Sequence, residues 1–356
     1  MPSNDIELGL LRIWEDLLDR RNIGIRDDFF ELGGDSILGT RLMIEIEKRF
    51  HRRFEISALF VHSTIEAFAR ELGASTNDVE AIHIVPMHPQ GARTPLFCIH
   101  CGTGHVLRYR ALASFLDPDI PIYGVRAPDL QAMNSVPTVE DLAALYLPDI
   151  LKIQPHGPYQ LFGFCFGGTV AFEIARRLTG MGETVSLVAL VQTWNPAYYR
   201  KLSLMEALRY RSTYLYGRMS KYGRRFFRGE WSEIYAGIGN IISWQKRKRR
   251  SGSSRTEAAF VETSGTQDTY DNIAMLSTIA DAFDPKSYPG RIHLIRANVQ
   301  NAELENDMTF GWQHIARDGV EVCTLPGDHI SLLEKPYVSR VADTVEKWLA
   351  KVEVRT

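Results

Sequence analysis

The spacing of apolar residues divides the chain into two parts. Between residues 4 and 73, apolar positions such as Ile6 and Leu10 recur every three to four residues, which predicts amphipathic helices. From residue 82 onward, short apolar runs alternate with helical segments, a pattern typical of a mostly parallel sheet with helices on both faces. We therefore predict a small all-α four-helix bundle, a polar linker at 74–81 and an α/β domain at 82–352.

Six apolar runs of the second part are predicted strands. They are Leu96–His100, Ile122–Val125, Tyr159–Phe164, Val185–Val191, Ile292–Ala297 and Val320–Leu325. The helices predicted between and after them are Val106–Leu116, Val139–Ile153, Gly167–Leu178 and Val338–Leu349. Because open parallel sheets place their sites at the carboxyl ends of the strands, the residues that follow these runs are the first candidates for chemistry.

One of those strand ends carries a nucleophile pattern. The segment Gly163-Phe164-Cys165-Phe166-Gly167 follows an apolar strand and opens a helix, as does the G-x-S-x-G turn of α/β-hydrolases, but with cysteine in place of serine. Glycines allow the sharp turn that exposes the middle side chain. Cys165 is therefore the predicted nucleophile, and its acyl-enzyme would be a thioester.

Two further strand ends complete a candidate catalytic site. His329 follows the last strand, in the chain order that α/β-hydrolases use for their histidine. Backbone N–H groups of Phe166, Cys101 and Gly102 are the predicted oxyanion hole, because Phe166 follows the nucleophile and the other two follow the first long strand.

In the helical part, Gly33-Gly34-Asp35-Ser36 breaks one element and opens another. On local physics Ser36 could be an N-cap, a common role for serine. The longer string Asp27-Asp28-Phe29-Phe30-Glu31-Leu32-Gly33-Gly34-Asp35-Ser36 closely resembles the signature of peptidyl carrier domains of nonribosomal peptide synthetases. That resemblance covers residues 4–73. It implies a 4′-phosphopantetheine arm on Ser36, attached by a phosphopantetheinyl transferase.

The second part resembles the type I thioesterase that ends such assembly lines. The resemblance rests on Pro95–His100, Gln154–Tyr159, and Trp312 with Gly327-Asp328-His329. Together the two resemblances imply a terminal carrier–thioesterase pair. Such a pair would receive an acyl or peptidyl chain from upstream synthetase modules and release it by hydrolysis, cyclisation or aminolysis. Whether the chain is a separate protein or the end of a larger synthetase stays open.

The chain departs from that family at the residue that orients the histidine. Gln192 stands where the family usually has aspartate, directly after Val191. A thiol is more acidic than a hydroxyl and can form a thiolate–imidazolium pair, so an amide oxygen could suffice as the orienting acceptor. Asn195 and Asp307 are the alternatives for this role. Loss of catalysis, leaving a carrier-and-docking module, and an editing thioesterase are the rival functions.

Between the strands ending at Val191 and beginning at Ile292 the chain is longer than a minimal fold needs. The family has a lid here, and we place it at about 198–280. Aromatic residues alternate with arginines in this segment, which could indicate nucleic-acid or membrane binding. We expect neither, because the carrier and thioesterase patterns already supply a function. A positively charged lid could instead steer the carrier.

Charge and cysteine content indicate which binding partners and which cellular compartment to expect. With 41 basic and 43 acidic residues, the chain as a whole is not a polyelectrolyte binder. The N-terminal residues lack a signal-peptide pattern and no apolar run is long enough to span a bilayer, so we expect a cytoplasmic location. The four cysteines are expected to be reduced. We expect no metal site at Cys98 and Cys101, because Cys98 lies inside an apolar strand.

Overall fold

The computed structural model describes Pro2 and residues 4–50, 52, 54, 56, 58–73, 83–130, 133, 135–198, 267–298 and 307–353. The predicted linker at 74–81 lies outside these residues. Of the predicted lid at 198–280, only Tyr198 and residues 267–280 are described, so the lid and the domain boundaries stay predictions.

Four helices form the N-terminal bundle. They are α1 (Asp5–Leu18), α2 (Ser36–Phe50), α3 (Ala58–Val61) and α4 (Ile65–Gly73). The Asn4 side chain caps α1 by accepting a 2.8 Å hydrogen bond from the Glu7 N–H. The apolar faces of these helices meet in a core of their own, in which Trp14 packs edge-on against Phe29 at 5.0 Å between ring centroids.

The second part contains a seven-stranded sheet in the order β1-β3-β2-β4-β5-β6-β7. Its strands are β1 (Ile84–His88), β2 (Leu96–Ile99), β3 (Ile122–Val125), β4 (Tyr159–Phe164), β5 (Val185–Val191), β6 (Ile292–Ala297) and β7 (Val320–Leu325). All neighbouring pairs are parallel except β1 with β3. The predicted fold class is confirmed.

Helices cover both faces of this sheet. They are α5 (Arg110–Ala113), α6 (Val139–Ile153), α7 (Phe166–Gly180), α8 (Gln267–Ala282) and α9 (Val338–Glu353). Two apolar cores result, one containing residues of α6 and α7 and the other containing residues of α9. Leu276 and Ile279 of α8 are buried in the first core, so the end of the range assigned to the lid contributes to the body of the fold.

The structure differs from the sequence prediction at two elements. Strand β1 was not predicted; it is short and contains Pro86, which suits an edge strand because proline cannot donate to a neighbour. The segment predicted as one helix, Val106–Leu116, is a 3₁₀ turn at Leu107–Tyr109 followed by the short helix α5. Side chains of this segment bond to strand ends far away in the chain, and those contacts override its helical periodicity.

Candidate active site

Cys165 occupies a strained turn between β4 and α7. Its backbone lies at φ 56° and ψ −122°, a left-handed region that costs energy for any residue with a side chain. The Cys165 N–H donates to the Val191 carbonyl at 2.9 Å, which ties the turn to the end of β5. The thiol-bearing residue is half-buried at the carboxyl edge of the sheet, as the sequence predicted.

The glycines beside Cys165 allow two strand ends and a helix to meet. A Cβ on Gly167 would overlap the carbonyl oxygens of Ile99 and His100, and a Cβ on Gly163 would overlap the Gly167 carbonyl. The first turn of α7 can therefore approach the end of β2 only because these positions lack side chains. This contact brings the candidate oxyanion loop beside the candidate nucleophile.

Two side chains that the sequence reading did not single out fix this turn. The Tyr109 hydroxyl donates to the Ile99 carbonyl and accepts from the Phe164 N–H at 3.0 Å, which links the ends of β2 and β4. The Thr193 hydroxyl donates to the Cys165 carbonyl at 3.0 Å. Both donors are buried, so they hold the residues on each side of the thiol in one geometry.

His329 lies beside the nucleophile turn. Its ring packs against Phe164, with centroids 4.9 Å apart, and against Trp194 at 6.0 Å. The residue follows β7 in a loop held by Asp328, whose carboxylate accepts from the N–H groups of Ile330 and Ser331 at 3.0 and 2.9 Å. The structure thus brings His329 to the residue that precedes Cys165.

The surroundings of His329 favour a neutral imidazole. Burial lowers the pKa of His329 to about 3, the Arg108 guanidinium lowers it further, and Asp328 opposes the shift. Arg108 donates to the Ile330 carbonyl at 3.2 Å, which places a fixed cation next to the histidine loop. Burial and Arg108 both act against the imidazolium of the expected thiolate–imidazolium pair, which stays a prediction.

Gln192 directly follows β5, has a left-handed backbone conformation, φ 48°, and is buried. Its Oε1 accepts a hydrogen bond from the Ala297 N–H at 3.1 Å, so the backbone of β6 fixes which way the amide faces. A carbonyl oxygen has a second lone pair, which leaves Oε1 chemically able to accept another donor.

Asn195 and Asp307, the alternatives to Gln192 for orienting His329, form hydrogen bonds with backbone groups in the structure. Asn195 donates to the Gly311 carbonyl and accepts from the Ala197 N–H at 3.1 and 2.9 Å. Asp307 accepts from the N–H groups of Thr309 and Gly311, both at 2.8 Å. These bonds give both side chains a role in shaping the loop before Trp312.

The predicted oxyanion donors lie where β2 meets α7. Phe166 is the first residue of α7, and first-turn N–H groups have no intrahelical acceptor. Cys101 is buried with its Sγ 3.2 Å from the Thr103 hydroxyl, whereas a Cβ on Gly102 would meet no atom within 4 Å. The loop therefore has open space at Gly102. The use of these groups as oxyanion donors stays a prediction.

Ser36 is the first residue of α2, and Asp35 supplies the cap of that helix. The Asp35 carboxylate accepts from the N–H groups of Ile37 and Leu38 at 2.9 and 2.8 Å. Asp35 and Ile37, which flank Ser36, are exposed. A capped helix start with solvent-open flanks fits covalent attachment of 4′-phosphopantetheine to Ser36.

The described part of the chain shows neither a metal-binding cluster nor a disulfide. No group of three or more His, Cys, Asp or Glu there could hold a metal ion, and the four cysteines are unpaired by disulfides. Burial raises the pKa of the Cys98 thiol, which disfavours the thiolate that a metal would need. Within the same residues, no helix has both the length and the apolar character needed to cross a bilayer.

Two family models match the chain. Residues 9–72 match the model described as a phosphopantetheine attachment site, and residues 94–210 match the thioesterase domain. The chain therefore joins a carrier domain that carries a covalent 4′-phosphopantetheine to a thioesterase domain.

Curated relatives of the chain include synthetases that are much longer than it. The chain is 32% identical to malpibaldin synthetase of Mortierella alpina over 359 residues, covering 99% of this chain and 6% of that protein. It spans 2–6% of the length of the first curated relatives it matches. A crystal structure of a holo four-domain nonribosomal peptide synthetase bound to AMP and glycine is 25% identical, with a TM-score of 0.56 over 98% of this chain and 26% of that one.

A solved thioesterase supports the fold of the second domain. The NocB thioesterase domain, in covalent complex with a fluorophosphonate nocardicin G analogue, is 23% identical with a TM-score of 0.52. It covers 75% of this chain and 99% of that chain. At this identity the likeness shows the α/β fold.

Proposed function

We propose that this carrier–thioesterase pair releases an acyl or peptidyl chain from a nonribosomal peptide assembly line. In this proposal Cys165 is the nucleophile, His329 the general base and acid, and Gln192 the residue that orients His329. The observation that carries it is the strained backbone of Cys165, set at a strand end beside the packed ring of His329. Strain of this kind is retained where the surrounding structure uses it.

Acyl transfer begins with a neutral thiol and a neutral imidazole. His329 takes the proton from the Cys165 thiol as the sulfur attacks the thioester carbonyl. The N–H groups of Phe166, Cys101 and Gly102 stabilise the negative oxygen of the tetrahedral intermediate. The bond to the departing sulfur then breaks, and His329 returns the proton to the departing thiolate. The products are a thiol and an acyl group on Cys165.

Release repeats the proton transfer with a different nucleophile. His329 takes a proton from water, or from a hydroxyl or amine of the chain or a second molecule, as that atom attacks the Cys165 acyl group. The carbon–sulfur bond breaks, and Cys165 recovers its proton from His329. A thioester is more reactive towards amines than an oxygen ester, so hydrolysis, cyclisation and aminolysis are all open to this site.

The carrier supplies the substrate in this scheme. When attached to Ser36, 4′-phosphopantetheine provides a terminal thiol that holds the acyl chain as a thioester. Upstream synthetase modules would load that chain, and a phosphopantetheinyl transferase would attach the group. The described surroundings of Ser36, a capped helix start with exposed flanks, support this assignment.

The test is to find where the acyl group resides. The intact chain is charged at Ser36 with a hexanoyl-phosphopantetheine group, quenched after short times, digested and mapped by mass spectrometry. We expect hexanoyl mass to appear on the Cys165 peptide in the wild type and to be absent from Cys165→Ala. Cys323→Ala, which removes a half-buried thiol outside the proposed site, should acylate at the wild-type rate.

Three outcomes separate the alternatives. Mass that stays on Ser36 with several different acyl chains would overturn the proposal and favour the carrier-and-docking function. Fastest loss of a short acetyl group would point to an editing thioesterase. Acylation that persists in Cys165→Ala would assign the nucleophile elsewhere.

A further inference from the structure

Arg110 of the thioesterase domain contacts two groups of the carrier domain. Arg110, the first residue of α5, places a guanidinium nitrogen 3.3 Å from the Asp28 carboxylate. The same guanidinium lies 3.8 Å from the centroid of the Phe30 ring. Arginine suits both contacts, because its planar group stacks on an aromatic face while its N–H groups bind a carboxylate. The two carrier residues belong to the signature that precedes Ser36.

The carboxylates of the carrier hold this cation at the contact. Burial lowers the pKa of Arg110, whereas Asp28 and Glu31 raise it, so the charge is partly desolvated against carrier groups. Asp28 also accepts from the N–H groups of Phe30 and Glu31 at 2.8 and 3.1 Å. One carboxylate therefore shapes the carrier turn and binds the thioesterase domain.

Other residues of the two domains also meet at this contact. Leu107 packs against the core of the carrier, and α3 lies against β1. Between the domains is a cavity of about 290 Å³ lined by residues of both, including Leu59, Met87 and Arg110. An interface with an unfilled cavity and a partly exposed ion pair is suited to forming and separating repeatedly.

Arg108 and Tyr109, which precede Arg110 in the chain, bond to backbone groups of the candidate active site. Arg108 donates to the Ile330 carbonyl next to His329, and the Tyr109 hydroxyl binds the backbone before Cys165. Leu107 and Arg110 contact the carrier, while the two residues between them contact the site. A carrier bound here is therefore linked to the nucleophile turn through four consecutive residues.

We propose that Leu107 and Arg110 form the docking surface on which the thioesterase domain binds the acyl-loaded carrier of the same chain, with Asp28 and Phe30 as the recognised groups. This inference rests on the proposed function. Asp35 and Ile37, the residues on either side of Ser36, are exposed while the carrier lies at this surface.

The test compares a tethered substrate with a diffusible one in the full chain. Single-turnover transfer of a hexanoyl group from Ser36 is measured beside cleavage of hexanoyl-N-acetylcysteamine, which needs no carrier. Arg110→Gln should slow transfer from Ser36 about tenfold, the combined effect of a partly exposed ion pair and a cation–π contact. It should leave cleavage of the diffusible thioester within about twofold of wild type.

Matched variants exclude a general charge effect. Arg317→Gln makes the same charge change at an exposed position beyond β6, near the opposite edge of the sheet, and should alter neither reaction. Asp28→Asn keeps an oxygen for the carrier turn while removing the charge. In that background Arg110→Gln should cost less than in the wild type, because the two residues are coupled.

A readout independent of activity separates this inference from the proposed function. Amide ¹⁵N relaxation in α1 reports whether the carrier tumbles with the thioesterase domain. Arg110→Gln should shorten the rotational correlation time of α1, and Arg317→Gln should not. Unchanged tumbling and unchanged transfer in Arg110→Gln would overturn the docking surface. Inactivity of every variant on both thioesters, with the expected change in tumbling, would instead overturn the proposed function and leave the docking surface standing.

Discussion

The imidazole of His329 packs on the ring of Phe164 at 4.9 Å between centroids, although the two residues lie 165 positions apart in the chain. Phe164 is the last residue of β4 and directly precedes Cys165. The loop after β7 and the nucleophile turn are thus joined by an apolar contact. Burial of the His329 ring lowers the pKa of this residue, and the first two predictions depend on that direction.

Removing the cation beside His329 should change the pH dependence of acylation. Arg108 lowers the pKa of His329, so Arg108→Gln raises that pKa. The base must be neutral to act, and the acid limb of Cys165 acylation should therefore move to higher pH. Arg108→Lys retains a positive charge and should leave the limb closer to its wild-type position. Rapid-quench measurements of the Cys165 acylation rate between about pH 3 and pH 8, a range that includes the usual histidine pKa, give the position of the acid limb. An acid limb at the same pH in Arg108→Gln and wild type would refute the prediction.

The same histidine should make the fold sensitive to acid. Its folded pKa, about 3, lies below the unfolded value of 6.5. The unfolded state therefore binds the proton first, so stability is fully present above pH 6.5 and falls as the pH drops towards 3. Urea unfolding at several pH values should give a flatter profile for His329→Gln than for wild type over this window. If the stability of His329→Gln and wild type changed equally with pH, the imidazole of His329 would not be a buried, neutral group.

The close approach at Gly167 should tolerate no side chain. Gly167→Ala places a Cβ against the backbone oxygens of Ile99 and His100, so it should cost about 1–3 kcal/mol and displace the nucleophile turn. Gly180→Ala is the matched control, since it lies in the same helix with nothing within 4 Å. That change should be neutral or stabilising by up to about 1 kcal/mol. Denaturant midpoints and acylation rates of the two variants give the comparison; equal effects would contradict it.

Gln192 should contribute both to the stability of the fold and to catalysis, and different substitutions should change the two separately. Gln192→Ala removes the acceptor of the buried Ala297 N–H, which should lower the free energy of unfolding by about 1–3 kcal/mol. Gln192→Glu keeps the oxygen and adds a negative charge near the site, which should raise the pKa of His329. Its acylation should then acquire an acid limb at higher pH than wild type. If Gln192→Ala acylates at the wild-type rate, Gln192 has no part in orienting His329.

Much of the framework could be predicted because it rests on local signals. Apolar runs locate β2 to β7 to within a residue, and Thr138 with Asp141 forms the capping box that begins α6. Cys165 and His329 could be found because parallel strands place their ends together. Strand β1 was not predicted, because its five residues, which include Pro86, show little alternation of apolar and polar side chains.

The residues that support the site could not be found in the same way. Tyr109 bonds to a backbone group 55 positions away, and Arg108 bonds to one 222 positions away. Neither has a distinctive sequence context, and the segment containing them matched a regular helix. Their roles arise from tertiary contacts, which single-sequence periodicity does not encode. The burial of His329 and the nearness of Arg108 could not be predicted for the same reason, since both are properties of the folded chain.

The position of β1 at the end of the sheet has a consequence for handling the protein. This strand pairs with β3 on one side, and among the described residues no strand pairs with its other side. Such an edge is a template for pairing with a second molecule. Helix α3 of the carrier lies against β1 and covers part of it. A thioesterase domain prepared without its carrier loses that cover, and its colloidal behaviour should be poorer than that of the joined pair.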